Sequence, residues 1–187
     1  MSRTDEALKE SEQATTLDPL SLSARYNRAW VLICAKRYDE ALLQLQKASE
    51  IDPNSAVVHG TVAVVYTEKR DYDRARQEFQ KAQDRRGEYS PYAVEIAHTY
   101  ALEGLAAKAK MALRPLLSDP GWQKVAPYSF AVTYAALGNK DEAFHWLYRC
   151  VDNHSCGVSE VNTDHGLDPL RSDPRFAEML RHLKLAN

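Results

Sequence analysis

The chain has 187 residues, 44% hydrophobic and 27% charged, a balance typical of a folded protein and not of a disordered one. Its formal net charge is −2 with acidic and basic residues interleaved, so it lacks the basic face expected of a nucleic-acid binder. No stretch approaches a membrane span, and the first ten residues have no signal-peptide pattern. We therefore expect no nucleic-acid or membrane partner. Three cysteines without framework spacing favour a reducing, cytoplasmic location.

A period of 34 residues runs through the chain. Alanine keeps this spacing in two complete phases: Ala7, Ala41, Ala75, Ala109 and Ala143, and Ala29, Ala63, Ala97 and Ala131. A third phase starts with Ala14, Ala48 and Ala82, and larger residues share the register at Leu45, Phe79, Leu113 and Leu147. The apolar spacing within each period predicts two amphipathic helices, which small residues allow to approach closely. One pair cannot bury its apolar face, whereas stacked pairs share a core.

In chain order, the first predicted element is a helix over residues 4–17. The whole chain is predicted to be a single domain made of a half repeat, four complete repeats, and an irregular segment with a capping helix: 4–19; 22–55, 56–89, 90–123 and 124–157; and 158–187. Ser21, Ser55 and Ser90 lie where helix N-caps are needed, the last followed by a proline suited to the first helical position. Pro115 falls inside a predicted helix, so we expect irregular structure near 113–122.

The last predicted helix begins after Asp173, a suitable N-cap, with Pro174 at its first position and ends near Leu185. Phe176, Leu180 and Leu183 form its apolar stripe. This helix is expected to close the last hydrophobic face of the stack.

Short runs at the turn into each second helix share one pattern: Tyr38-Asp39-Glu40-Ala41, Tyr72-Asp73-Arg74-Ala75 and Lys140-Asp141-Glu142-Ala143. With the 34-residue period, they make residues 5–153 resemble the tetratricopeptide repeat family. The resemblance implies an all-α fold, a right-handed superhelical solenoid of antiparallel helix pairs, and a protein-binding role. The run Asp168-Pro169-Leu170-Arg171-Ser172-Asp173-Pro174-Arg175-Phe176 also resembles the end of tetratricopeptide regions in bacterial adenylate cyclases, winged-helix regulators and protein kinases. This implies a bacterial signalling or regulatory parent.

The resemblance places the first helix of each repeat on a concave face. The positions that would face inward are Tyr26, Asn27, Trp30, Ile33 and Cys34; Val57, Gly60, Thr61, Val64 and Glu68; Val94, Glu95, His98 and Leu102; and Tyr128, Ser129, Val132 and Ala136. No lysine or arginine is among them, so we expect no clamp for a terminal carboxylate. An apolar groove with acidic positions favours an amphipathic helix or an apolar extended peptide carrying a basic residue. Tyr26 and Trp30 are the expected anchors.

Two functional classes stay open on the sequence. The first is a scaffold that binds a peptide or helix of a partner; the second is an intramolecular regulatory or oligomerisation module of a larger protein, with self-association. A third, enzymatic class rests only on Cys150, His154, Cys156 and His165, whose spacing could suit zinc. Because Cys150 shares the phase of Ala48 and Ala82, we expect a core residue instead, with no metal, no cofactor and no catalysis.

Overall fold

The structure, a computed structural model, describes residues 3–87, 89–156 and 158–186. Within these ranges the chain is almost entirely helical and contains no strand, as the 34-residue period predicts. Its internal contacts divide it into two compact units, Met1–Glu88 (unit 1) and Tyr89–Asn187 (unit 2). Each unit is described separately below.

The described part of unit 1 contains five successive helices, each packed on the next along the chain. They are α1 (Arg3–Leu17), α2 (Leu22–Cys34), α3 (Tyr38–Ile51), α4 (Ala56–Glu68) and α5 (Tyr72–Arg86). The predicted serine caps of α2 and α4 are confirmed, since Ser21 Oγ accepts a hydrogen bond from the Ala24 amide (3.2 Å) and Ser55 Oγ from the Val58 amide (3.4 Å). These caps fix where each first helix starts.

The predicted periodic positions supply much of the core of unit 1, beside other buried residues such as Ile33, Val58 and Val65. The fully buried alanines are Ala29, Ala41, Ala48, Ala63, Ala75 and Ala82. Leu45 and Phe79 fill the space beside these small residues, at 0% and 2% exposure. The alanine phases therefore mark close helix contacts, as the sequence predicts.

The described part of unit 2 has regular helices and three short additional segments of six residues each. Its helices are α6 (Tyr92–Leu102), α7 (Ala106–Leu117), α8 (Pro120–Val125), α9 (Pro127–Ala136), α10 (Lys140–Asp152), α11 (Val158–Thr163), a 3-10 helix (His165–Leu170) and α12 (Pro174–Ala186). α6 packs on α7 and α9, and α9 packs on α10 and the 3-10 helix.

The predicted irregularity around Pro115 lies between α7 and α9. α7 includes Pro115 and ends at Leu117, whereas the position two repeats after Ile51, the last residue of α3, is residue 119. The short helix α8 follows, with the Asp119 carboxylate accepting a hydrogen bond from the Gly121 amide at 2.8 Å. Residue 124, the predicted start of the fourth repeat, lies in α8, and the next regular helix starts at Pro127.

The predicted Ser90 cap is wrong. α6 begins at Tyr92 with Pro91 at the N-cap position, one residue later than expected. The Ser90 Oγ is buried and has no hydrogen-bond partner among the described residues, while its carbonyl accepts from the Ala93 amide at 3.2 Å. The side chain is one position too early to reach the first turn.

The predicted start of α12 is confirmed by its hydrogen bonds. Asp173 Oδ1 accepts from the Arg175 amide (3.1 Å), and the Arg175 guanidinium, hydrogen-bonded to this carboxylate, lowers the pKa of Asp173 to about 2. Phe176, Met179 and Leu183 are buried, and Leu180 is half-buried. The helix therefore covers part of the unit 2 core, as the predicted stripe implies.

Candidate functional site

An open cleft lies between the starts of α2 and α4 in unit 1. It has a volume of about 430 Å³ and is lined by Leu22, Ser23, Tyr26, Ser55, Val57 and Val58. We call it the aromatic cleft, because Tyr26 also contacts Trp30, with ring centroids 6.3 Å apart and planes at 77°. Trp30 is 36% exposed and Val57 39%, so both offer apolar surface to a ligand.

The aromatic cleft brings together only part of the set predicted for unit 1. Tyr26 and Val57 line it and Trp30 adjoins it, whereas Asn27, Val64 and Glu68 are not among its lining residues. Asn27 and Glu68 are exposed, Val64 is half-buried, and Glu68 accepts a hydrogen bond from the Tyr38 hydroxyl at 3.2 Å.

Thr61 is a correction to the predicted set. Its side chain is 3% exposed, and its Oγ1 donates to the Val57 carbonyl at 2.8 Å, so it is not available to a ligand. Ile33 and Gly60 are buried as well, whereas Cys34 is exposed.

Four residues of the aromatic cleft were not in the predicted set: Leu22, Ser23, Ser55 and Val58. The sequence feature that could have identified them is their position, because each lies at or beside the first turn of a helix whose serine cap was recognisable. The inward-facing pattern carried over from the family starts after Leu22, Ser23 and Ser55, and it does not include Val58, which is 1% exposed.

Unit 2 holds two carboxylates against neighbouring residues of α9. Glu95 Oε1 accepts a hydrogen bond from Ser129 Oγ at 2.8 Å, and Asp164 Oδ2 accepts one from the Tyr128 hydroxyl at 2.6 Å. Asp164 Oδ1 also accepts from the Gly166 amide at 2.7 Å. Neither carboxylate forms an ion pair with any described residue. We call this pair the acidic site.

His98 lies beside the acidic site, three residues after Glu95 on α6. Its Nδ1 is buried and has no hydrogen-bond partner among the described residues. Burial lowers the pKa of His98, while the nearby Glu95 and Asp164 carboxylates act in the opposite direction. The imidazole is therefore neutral near pH 7 and lies close to both acids.

The remaining positions predicted in unit 2 differ in their accessibility. Val94 is a second correction, because its side chain is fully buried in the core. Leu102 is 41% exposed, Val132 is half-buried, and Ala136 is half-buried.

The 3-10 helix covers Val132, since a Cβ added to Gly166 would lie 2.7 Å from Val132 Cγ1. Sequence reasoning placed no functional residue at Asp164 or Gly166. The only signal was the Asp-x-Gly turn pattern at the start of the 3-10 helix.

The cysteine and histidine cluster does not converge. Cys150 is fully buried, and its sulfur lies 3.4 Å from Ser155 Oγ, which donates to it. His165 is exposed and pairs with Asp168. The described residues contain no group of three or more histidine, cysteine, aspartate or glutamate side chains that could hold a metal ion.

These features define a helical repeat protein built from stacked pairs of helices. A family model described as the tetratricopeptide repeat matches residues 1–65 and 32–95, together just over half of the chain. The chain belongs to the tetratricopeptide repeat family.

Solved structures share the fold at low sequence identity. A crystal structure of MamA has a TM-score of 0.54 at 18% identity, covering 81% of this chain and 89% of MamA. YrrB, described as a tetratricopeptide repeat protein with an unusual peptide-binding site, has a TM-score of 0.52 at 19% identity over 97% of this chain and 94% of its own. Naa15/Naa10 bound to HypK-THB matches with a TM-score of 0.51 at 19% identity, covering 98% of this chain and 30% of the matched one.

The comparison with curated proteins found no match. None of the helices in the described part of the chain combines the length and apolar character needed to cross a bilayer.

Proposed function

We propose that this protein is an interaction scaffold that binds a peptide or helix of a partner protein, without catalysis and without a cofactor. The observation that carries the proposal is the aromatic cleft, an open apolar space on the first helices of two repeats. Membership of a repeat family without a catalytic centre of its own supports a binding role. The peptide-binding site named for YrrB, which has the same fold, is consistent with it.

The lining of the aromatic cleft defines the side chain that it would accept. Leu22, Val57 and Val58 provide apolar walls, while the hydroxyl of Ser55 is used as the cap of α4. A leucine-sized or aromatic side chain of a partner would fill this space, with Tyr26 and Trp30 as flat contact surfaces. Asn27 and Val64 are proposed as flanking contacts.

The test is a partner pull-down with the Tyr26→Ala and Trp30→Ala variants. We expect both variants to lose the partner while keeping the helical circular dichroism of the wild type. Leu43→Ala is the matched control, since Leu43 is 48% exposed on α3, the second helix of the same repeat. Retention of the partner by both aromatic variants, or equal loss with Leu43→Ala, would disprove the role of the cleft.

A second candidate is an intramolecular regulatory or oligomerisation module of a larger cytoplasmic bacterial signalling protein. One observation favours it: Leu17 and Leu20, around the end of α1, are each 78% exposed outside the aromatic cleft. Such exposed apolar residues can contact another domain or a second copy. Molar mass measured across a concentration series separates the two candidates.

A further inference from the structure

We propose that the outward side of α7 in unit 2 binds an acidic segment of a partner protein, with an apolar side chain among its acidic residues. We call this the α7 surface and define it by Lys108, Lys110, Met111 and Arg114. The α7 surface is separate from the aromatic cleft, whose lining residues all belong to unit 1. A second surface of different chemistry goes beyond the binding role proposed above.

Helix geometry places the four side chains on one side of α7. Lys110 and Arg114 are one turn apart, and Met111 lies around the helix between them and Lys108. All four residues are exposed, and Met111 is 72% exposed. The opposite side of the helix carries Leu113, which is 1% exposed and belongs to the unit 2 core. α7 therefore presents a methionine among positive charges to solvent.

The α7 surface carries positive charges that no acidic residue compensates. α7 contains no acidic residue, whereas α3, α5 and α10, the second helices of the other complete repeats, contain three each. In the part of the chain that the structure describes, Lys108, Lys110 and Arg114 form no ion pair. The Lys108 ammonium lies 5.8 Å from the centre of the Tyr100 ring, a contact that leaves its charge in place. Such a surface is complementary to a segment with negative charges.

Met111 adds an apolar contact at the centre of the α7 surface. Its unbranched thioether side chain adapts to different partners, and covering it removes apolar surface from water. Exposed ion pairs are weak on their own, so a stable complex needs this apolar contact as well. An apolar side chain on Met111 would place neighbouring acidic groups near Lys108 on one flank and near Lys110 and Arg114 on the other.

Two other anionic ligands fit the α7 surface less well. A helix that lies in a membrane interface buries its apolar side in the lipid, whereas the apolar side of α7 packs in the unit 2 core. Proteins that bind single-stranded nucleic acid stack the bases on aromatic side chains, and α7 has none. The charges and the methionine together therefore favour an acidic peptide.

The experiment measures the fluorescence anisotropy of a labelled peptide, with a central leucine between glutamates, during titration with the full chain. Two matched peptides separate the parts of the contact: one has serine in place of the leucine, and the other has glutamine in place of every glutamate. We expect the serine peptide to bind about fivefold more weakly than the leucine peptide, and the glutamine peptide to show no binding. Added salt should weaken binding, because exposed charges are screened.

Variants of the chain test which residues make the contact. Lys110→Glu/Arg114→Glu reverses two charges, and we expect the affinity for the leucine peptide to fall about tenfold or more. Met111→Ala should weaken the leucine peptide and leave the serine peptide unchanged. Lys47→Glu is the matched control, since Lys47 is exposed on α3, and it should bind as the wild type does, as should Trp30→Ala. Circular dichroism checks that each variant is folded.

The inference is overturned by no binding of the leucine peptide, by equal binding of the leucine and serine peptides, or by an unchanged affinity in Lys110→Glu/Arg114→Glu. Loss of binding in Trp30→Ala would place the peptide in the aromatic cleft instead. Binding to vesicles of phosphatidylcholine and phosphatidylserine, without binding to the peptide, would assign the surface to a membrane. A molar mass that rises with concentration in the wild type, and not in the charge-reversal variant, would assign it to a second copy. None of these results depends on the partner pull-down, which tests the aromatic cleft separately.

Discussion

Four turn residues spaced by 34 positions have a left-handed backbone: Lys36, Arg70, Gly104 and Gly138, with φ of 58°, 59°, 82° and 72°. At the first of them, the Arg37 amide donates to the Leu32 carbonyl (2.8 Å) and the Lys36 amide to the Ile33 carbonyl (2.9 Å), the pattern that ends a helix with a left-handed residue. A lysine side chain is strained in that conformation, whereas glycine is not.

We predict that Lys36→Gly raises the free energy of unfolding by about 1 kcal/mol, because it removes this strain. Urea denaturation followed by circular dichroism measures the change. Lys47→Gly, within α3, is the control and should lower stability by about 1 kcal/mol, as glycine does in a helix interior. A loss of stability in both variants would contradict the prediction.

The half-buried imidazole of His98, whose Nδ1 is buried, makes stability depend on pH. Burial lowers its pKa in the folded state below the ordinary value of 6.5, so near and below pH 6.5 the unfolded chain binds the proton more readily. The contribution of His98 to the free energy of unfolding is therefore fully present above pH 6.5. It is lost as the pH falls from 6.5 through the lower pKa of the folded state. The slope approaches about 1.4 kcal/mol per pH unit for one proton.

When the pH is lowered from 7.5 to 5.5, we predict that the urea midpoint of the wild type decreases more than the urea midpoint of His98→Gln, whose side chain cannot titrate. His182→Gln removes an exposed histidine on α12 and should keep the wild-type dependence. The same pH dependence in all three proteins would mean that His98 is not the group responsible.

At the scale of elements, the contact between α4 and α5 depends on small residues. Ala75 is fully buried in this contact, so Ala75→Leu is predicted to overpack it and to destabilise the protein by about 1–3 kcal/mol. Ala14→Leu is the control, because Ala14 belongs to an alanine phase of the repeat but is exposed on α1. Thermal melts of the two variants measure the difference, and an unchanged melt of Ala75→Leu would show that the contact is not tight.

The helices that follow the 34-residue repeat could be predicted from the sequence, whereas the short helix α8 could not. Alanine spacing and serine caps are local signals, and they identified α2 to α5 because every repeat imposes the same packing. α8 depends instead on contacts distant in the chain. Tyr89 donates its hydroxyl to Asp119 at 3.2 Å and packs on Trp122, with ring centroids 5.6 Å apart. The sequence around α8 gives no indication of those contacts.

The candidate sites were less predictable than the fold for a related reason. One repeat position holds Tyr26, Gly60, Val94 and Tyr128, and another holds Trp30, Val64, His98 and Val132. The period determines that such positions lie on first helices, but burial at each depends on the neighbouring residues. Val94 is fully buried and Trp30 is 36% exposed, although both were expected to face a ligand. Asp164 reaches Tyr128 only through the 3-10 helix, which does not follow the repeat pattern.

At the scale of the whole molecule, the oligomeric state separates the two functional candidates. The chain has a mass of 21.1 kDa and a net charge of −2, too small to prevent association by repulsion. We predict a monomer at all concentrations, because the two exposed apolar residues Leu17 and Leu20 offer far less surface than the area of about 1,200–2,000 Å² that a stable dimer buries. Light scattering coupled to size exclusion would give a constant molar mass.

The variant Leu17→Glu/Leu20→Glu makes this test decisive. If the wild-type mass rises with concentration and the double variant stays monomeric, the end of α1 is a self-association surface and the oligomerisation module is the better account. If both proteins are monomeric, these leucines do not join two copies. Since they lie outside the aromatic cleft, partner capture by the double variant should then equal that of the wild type, while Trp30→Ala loses it.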